Sequence, residues 1–548
     1  MNLTQRLYTL GCMLFIWYAC MAITPQFFFL FGSSLSHWQF IFTQIIFVLI
    51  WRLILRDYFS LSTFKSRAPY FLTGTAIIIG CLWHANTILD SSFDGNWYHL
   101  DAIHLLKKGW NPIYQELKES ETSFSYAYLA HFPKGSWLFG AHIFAFSQEA
   151  EIGKASTAIL SISCFLVSIH LFKSIFQLNR WSSVLMALLL ASNPIQILNL
   201  GSFYSDGQLA ALISLGFLFS IYQFKEGGYF NGILALLSFA LLANTKYNGT
   251  AYACIFVLAF LVFLLFTNAY QIKKIIALGM AWLLFTFIFL GYNPFVTNFL
   301  SQGHPFYPLN LGTESVFNKA HNYPANFTHL NRVEKFFNSL FAQPDWAIQP
   351  KSSSFKELFR PISFESYSYG NANLAGFGPV VPEVLLVIFP LGLWALFRFE
   401  PKKRRNYLFA ASILIASVLI NPEAWVLRYV PQFWLIILLL IIPILQYKKT
   451  YWIGILAAGI LVCGNLVLGY QYLKKCNIHT HELINQVELV KHSHGTFMFD
   501  AGWSKPFQYR IEKLGLNLSQ QEKLNPKDSL VKPFTGGLGA YFKKRNDK

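Results

Sequence analysis

Two carboxylates stand where an apolar stretch gives way to polar chain. Asp94 lies in SSFDGNWYHLDAIHLLKKGWNPIY, Ser91 to Tyr114, just past an apolar run. Asp206 lies in SNPIQILNLGSFYSDGQLAALI, Ser192 to Ile213, just ahead of another. A carboxylate in such a place has two uses. It can cap a helix, because Asp at an N-cap accepts the free N–H groups there. It can also take a proton from a reacting group, if that proton comes within hydrogen-bond reach. Position alone leaves both readings open. Asp90 and Asp101 are poorer candidates, and Asp101 is expected to face solvent. Two cations sit at similar boundaries: Lys246 in LANTKYNGTAYA and Arg428 in AWVLRY. Each could hold an anion or simply snorkel to the membrane surface. His304 and Tyr307 in GHPFYP could reach a headgroup or pack within their loop. Tyr98 and His99 could position a ligand or belong to an interfacial aromatic belt.

The elements that carry these residues are set by composition. Of 548 residues, 54% are hydrophobic and 13% charged, with a mean hydropathy of +0.40. Soluble domains carry about 25% charged residues, and apolar runs of about 20 residues are the mark of membrane spans. An all-α polytopic membrane protein follows. Spans are expected near 8–31, 38–55, 69–89, 154–172, 182–200, 207–224, 229–246, 250–268, 275–293, 381–397, 407–421, 431–447 and 451–472, about thirteen in all. The first reads as a retained anchor rather than a cleaved signal.

Alternate loops are basic. They hold Arg52, Arg56, Lys65 and Arg67; Lys173 and Arg180; Lys225; Lys273 and Lys274; Arg398 and Lys402 to Arg405; Lys448 and Lys449. The positive-inside rule places this set and the N-terminus in the cytoplasm. The net charge of +17 then speaks for topology and anionic lipid, not for nucleic acid. The organisation expected is two leading spans (1–68), a core (69–293) with a first outer loop (90–153), a large outer loop (294–380), closing spans (381–472) and an outer tail (473–548). In the first outer loop, Leu100, Ile103, Leu106 and Trp110 recur at helical spacing. They predict an amphipathic helix lying in the interface, and HFPKGSWLFGAHIFAF, His131 to Phe146, predicts a second. The tail is expected to fold as a small α/β cap. Six of the seven cysteines fall in predicted spans and Cys476 in the tail, with no CxxC, so no disulfide framework is expected.

In chain order, Asp94-x-x-x-Tyr98-His99-Leu100, HFPKGSWLFGAHIF, SNPIQILNLGSFYSDGQLAALI, LANTKYNGTAYA, NPFVTNFLSQGHPFYPL and GFGPVVPEVLLV make a set. That ordered set, over roughly 69–450, resembles the GT-C superfamily of polytopic, lipid-linked-sugar glycosyltransferases. Within it, the set is similar to the bacterial ArnT/PMT-like and RgtA/B/C/D-like branch. The chain departs from that pattern at Asp101, where relatives often carry proline, and in having two spans ahead of the core. The resemblance implies a GT-C fold in a bacterial inner membrane, with the active site and C-terminus periplasmic. It implies transfer of a sugar from a polyprenyl-phosphate donor to a glycan, lipid or protein acceptor. Asp94 would be the catalytic base, with inversion at the sugar. Asp206 would orient the acceptor or share a cation. Lys246, Arg428 and His304 would face the phosphate, Tyr307 the donor headgroup, and Tyr98 and His99 the sugar.

Other chemistry finds little footing. His99 and His104 are five apart, not the i, i+4 spacing of a helical metal pair. His479, His481, His492 and His494 are not read as zinc ligands, so no protein metal site is expected. No cofactor is expected with certainty; Mg or Mn at Asp94 would find few carboxylates. No GxxxxGK[ST], GxGxxG after a strand or GxSxG occurs, so a nucleotide-sugar donor has no support. Two alternatives stand. An O-antigen polymerase or ligase would use arginines of the large outer loop, such as Arg332 and Arg360. A flippase or exporter of lipid-linked sugar would bury its polar residues near mid-span.

Overall fold

A computed structural model describes residues 2–61, 63–118, 122, 125–266, 271–309, 329–341, 378, 380–493 and 496–545. Backbone polar groups have no water partner in lipid, so an apolar run pairs them internally as helix. The chain does this along its length. Among the described residues, eight helices are long and apolar enough to cross a membrane. They are Leu3–Leu30, His37–Asp57, Lys65–Asn86, Ala150–Ser174, Asp206–Glu226, Tyr247–Phe266, Ile272–Leu290 and Tyr451–Lys491. The chain is a multi-pass membrane protein. The other five predicted spans also fall on helices. Arg180–Ala191, Phe230–Ala243, Val381–Phe397 and Phe433–Gln446 are shorter, and Pro401–Leu419 opens on four consecutive basic residues.

The first helix is the centre of the bundle. In Leu3–Leu30, 89% of the best apolar window is buried, against 17% in Ile272–Leu290. Its partners include Ser163, whose hydroxyl donates to the Gly11 carbonyl at 2.8 Å, and Gln208, which accepts from the Tyr18 hydroxyl at 3.0 Å. The helix read as a retained anchor is therefore packed inside the bundle, against Gly135–Ser147 and Ala155–Ser174 above all.

The first outer loop differs from expectation in two ways. Leu100–Lys107 is a helix with Leu100, Ala102, Ile103 and Leu106 buried. Asp101 beside them is 1% exposed rather than solvated. Ser125 donates to it at 3.3 Å, and burial raises its carboxyl to about 6. The second predicted amphipathic segment forms Gly135–Ser147, but Ser136 to Ala145 are all buried. It packs against Leu3–Leu30, His37–Asp57 and Leu100–Lys107, so it is a core helix, not an interfacial one. Of the large loop, residues 310–328, 342–377 and 379 lie outside the described residues, and Arg360 with them. Arg332 is exposed at the start of Arg332–Phe341.

The last span does not stop at 472. Tyr451–Lys491 runs 41 residues as one helix, about 60 Å at 1.5 Å per residue. Cys476, Thr480, Leu483, Val487 and Val490 keep one face buried in the added turns. Cys476 thus lies in a helix and not in a loose tail. Three short antiparallel strands follow: β1 (Phe497–Asp500), β2 (Lys532–Pro533) and β3 (Tyr541–Lys544), in the order β1-β3-β2. With helix Lys505–Lys513 they enclose Phe499, Phe507, Ile511, Phe534 and Phe542 against Leu483, Val487 and Val490. The small α/β cap is present, seated on the outgrowth of the last helix.

Candidate active site at the span ends

Asp90 fastens two loops together. One carboxylate oxygen accepts the Ser92 N–H at 2.7 Å, closing a local turn, and the other accepts the Phe203 N–H at 2.8 Å. The segment carrying Asp94 is thereby tied to the segment carrying Tyr204 and Asp206. Gly95 lies directly under that carboxylate. A Cβ there would stand 2.0 Å from Asp90 Oδ2 and 2.4 Å from Ser92 Oγ. Gly95→Ala must push the two apart, and such overpacking costs about 1–3 kcal/mol. A lowered thermal midpoint of the detergent-purified protein is expected, and an unchanged midpoint would show that the loop yields freely.

Asp94 follows the Lys65–Asn86 helix and precedes a π-helical turn, Gly95–His99. It occupies the capping position, yet its side chain makes no capping bond. Asp206 is the first residue of its helix, and Ser205 at the N-cap makes no side-chain capping bond either. Both carboxylates are spent elsewhere. Asp206 Oδ1 accepts from Lys246 Nζ at 2.8 Å. Arg428 Nη1 stands 3.7 Å from Asp206 Oδ2 and 3.7 Å from Asp94 Oδ2. The capping and snorkelling readings therefore fail for these four residues. They form one charge cluster of two carboxylates and two cations.

The cluster is graded in burial. The Asp206 side chain is 1% exposed, Arg428 15%, Asp94 18% and Lys246 20%. At 3.7 Å the guanidinium is held by charge and not by hydrogen bonds. Its Nη2 donates to the Tyr429 hydroxyl at 3.3 Å, and its Nε is buried without a partner. A guanidinium has five N–H donors, so most of this one's capacity is unspent. Tyr204 and Tyr429 face it at 5.2 and 5.0 Å, and Tyr429 faces Lys246 at 4.9 Å. Sequence reasoning passed over both tyrosines, although each stands within two residues of a candidate. Burial raises the Asp94 carboxyl above its usual range. Arg428 and Lys246 pull it back, Asp206 pushes it up, and a hydrogen bond from Tyr204 lowers it.

Tyr98 and His99 are buried inside the protein, so they are not an interfacial belt. Tyr98 stacks on Tyr128 at 4.6 Å. His99 Nδ1 accepts the Trp137 indole N–H at 2.7 Å, which places the proton of the neutral ring on Nε2. Burial, then the nearby Lys246, lowers His99 to about 3, so the ring is neutral at ordinary pH.

Three of the quoted motifs meet behind Lys246. The Gly135 N–H donates to the Asn244 carbonyl at 2.8 Å. The Tyr247 hydroxyl lies within hydrogen-bond reach of the His131 carbonyl and, at 2.8 Å, of the Tyr307 carbonyl, with one proton to donate between them. Asn298 donates to the same Tyr307 carbonyl at 2.9 Å. The Tyr307 ring lies edge-on to His131 at 4.7 Å, and His304 stands 5.9 Å from Phe306. Among the described residues, His304 and Tyr307 make no polar contact with Asp94 or Asp206. The Tyr307 carbonyl belongs to the packing that holds the Lys246 turn.

A divalent ion fits these residues poorly. Asp206 is already paired with Lys246, and the Arg428 guanidinium sits between the two carboxylates. Among the described residues no group of three or more His, Cys, Asp or Glu side chains is placed to hold a metal.

Fold and site together define a multi-pass membrane protein that gathers charge where Lys65–Asn86, Asp206–Glu226 and Tyr247–Phe266 end. Comparison with family models, curated proteins and solved structures finds no match to this chain.

Proposed function

We propose that this protein is a GT-C-type glycosyltransferase with thirteen spans in a bacterial inner membrane. It moves a sugar from a polyprenyl phosphate to an envelope acceptor, a glycan, lipid or protein, on the periplasmic face. The observation that carries the reading is the Arg428 guanidinium, set 3.7 Å from both Asp94 and Asp206 with N–H donors to spare. A phosphate needs such donors.

Asp94 takes the proton of the acceptor hydroxyl as its oxygen bonds to the sugar's anomeric carbon. The bond from that carbon to the phosphate oxygen breaks on the opposite face, so the configuration inverts. The electron pair leaves with polyprenyl phosphate, a weak base that requires charge stabilisation more than a proton. Arg428 and Lys246 supply it. Asp206 holds both cations in place, and the neutral His99 ring stands behind them, 6.2 Å from Tyr204. A lipid-borne donor would enter sideways from the bilayer, and a site at the span ends suits that path. A flippase or exporter would place its charges at mid-span, whereas these sit at helix termini.

Detergent-purified protein mixed with polyprenyl-phosphate sugars and envelope acceptors tests this by release of free polyprenyl phosphate. Wild type is expected to release it. Lys246→Ala, which loses one charged hydrogen-bond donor, should raise the donor KM by about ten- to a hundredfold, since such bonds contribute about 1.5–3 kcal/mol. No release by wild type across donors and acceptors would sink the reading.

A further inference from the structure

A second buried ionic cluster lies outside the site and outside the mechanism. It joins Glu151 and Lys154, at the start of the Ala150–Ser174 span, to Arg510 of the C-terminal cap. Arg510 is 6% exposed, Glu151 9%, and Lys154 2%. Arg510 Nε and Nη2 donate to Glu151 Oε1 at 3.0 and 2.7 Å. Its Nη1 donates to Asn96 Oδ1. Lys154 donates to Glu151 Oε2 and to the Ile88 carbonyl.

What these bonds hold is the segment on either side of Asp94. Glu151 Oε2 accepts the Asp90 N–H at 3.2 Å. The Asn96 amide donates to the carbonyls of Asp90 and Ser92, both at 2.9 Å. Ser504, which caps the Lys505–Lys513 helix, donates to the Asn96 carbonyl. The same helix grips the next turn of the loop. Tyr509 stacks on His104 at 4.3 Å and accepts from Lys108 Nζ at 3.1 Å. The long helix adds one more bond, from the Leu89 N–H to Thr480 Oγ1 at 2.9 Å.

A buried ion pair is a poor source of stability, because apolar side chains of the same size serve as well. Its use is registry. A guanidinium can grip Glu151 with one edge and Asn96 with the other, which an ammonium cannot do in one geometry. We infer that Arg510 is a positioning residue. The C-terminal cap, through the Arg510 fork on Glu151 and Asn96, fixes residues 90–96 so that Asp94 meets the acceptor. This rests on the glycosyltransferase reading for its catalytic consequence, and on the geometry alone for its structural one.

The test uses the full-length protein in detergent with Arg510→Lys, Arg510→Ala and Lys513→Ala. Lys513, on the same helix as Arg510, pairs with Glu149, and both side chains are exposed, so it serves as the control. Two quantities are read: amide hydrogen exchange in peptides covering 89–96, and kcat and donor KM for polyprenyl phosphate release. Arg510→Lys is expected to exchange at least tenfold faster at 89–96 than wild type. Its kcat is expected to fall tenfold or more, with donor KM within twofold, and Lys513→Ala is expected to match wild type in both. Wild-type exchange at 89–96 in Arg510→Lys and in any folded Arg510→Ala would overturn the inference. So would faster exchange with an unchanged kcat. If wild type shows no transferase activity, the proposed function fails by that result, and exchange at 89–96 still decides whether the cap holds the loop.

Discussion

Asp94→Asn is expected to lose about a hundred- to ten-thousand-fold in kcat, the range for removal of a positioned proton acceptor. Asparagine keeps the size of the side chain and an oxygen for Tyr204 to donate to. Arg428 keeps Asp206 as a partner at 3.7 Å. The side chain is 18% exposed, so the fold should survive, and donor KM should change little because Lys246 and Arg428 remain. The pH profile supplies an independent check. The base must be deprotonated, so the rate rises with pH through the Asp94 pKa. Burial holds that pKa above the usual aspartate range, with Arg428 and Lys246 offsetting part of the rise. Wild-type kcat should therefore fall on acidification at a higher pH than a solvated aspartate would dictate, and the residual rate of Asp94→Asn should lack that inflection. Single-turnover release of polyprenyl phosphate, with thermal midpoints beside it, measures both. Wild-type turnover in a folded Asp94→Asn would move the proton acceptor to another group.

The apolar helices were legible because hydropathy is local. Each predicted span falls on a helix, from the core helix Leu3–Leu30 to Tyr451–Lys491. Ends were less legible. Past Tyr472 the composition turns polar, which reads as the end of a span, but Leu483, Val487 and Val490 continue a helical stripe that the cap covers. The same cap explains Asp101. Its helix shows one apolar face, and the other reads as solvated. In the fold that other side meets Ser125 and the cap, where Tyr509 engages His104 and Lys108. Asp94, Asp206, Lys246 and Arg428 could each be picked out by type and place at a boundary. That one guanidinium joins two of the carboxylates could not, because those contacts cross hundreds of residues and no local pattern encodes them. Arg510 was invisible for the same reason: nothing local in Lys505–Lys513 shows that Glu151 lies beneath it.

Arg428→Ala should be nearly as damaging as loss of Asp94, but by a different route. Removing one preorganised donor from developing negative charge costs about a hundred- to a thousand-fold in kcat. Here the donor also serves the ground-state phosphate, so donor KM should rise as well, unlike in Asp94→Asn. Breaking a fully buried ion pair costs about 3–5 kcal/mol. The cost here should fall below that range, since Arg428 is 15% exposed and stands 3.7 Å from each carboxylate. Lys246 still holds Asp206 at 2.8 Å. Arg428→Lys restores the charge but not the planar fork, and should recover only part of the rate. The pH profile reads the coupling of Arg428 to the base. Arg428 pulls the Asp94 carboxyl down, so its removal must shift the acid limb of the pH profile upward, while Arg428→Lys leaves that limb nearer wild type. A folded Arg428→Ala whose acid limb stays in place would mean that the guanidinium and the base are not electrostatically coupled during turnover, and the cluster would then be scaffold and not active site.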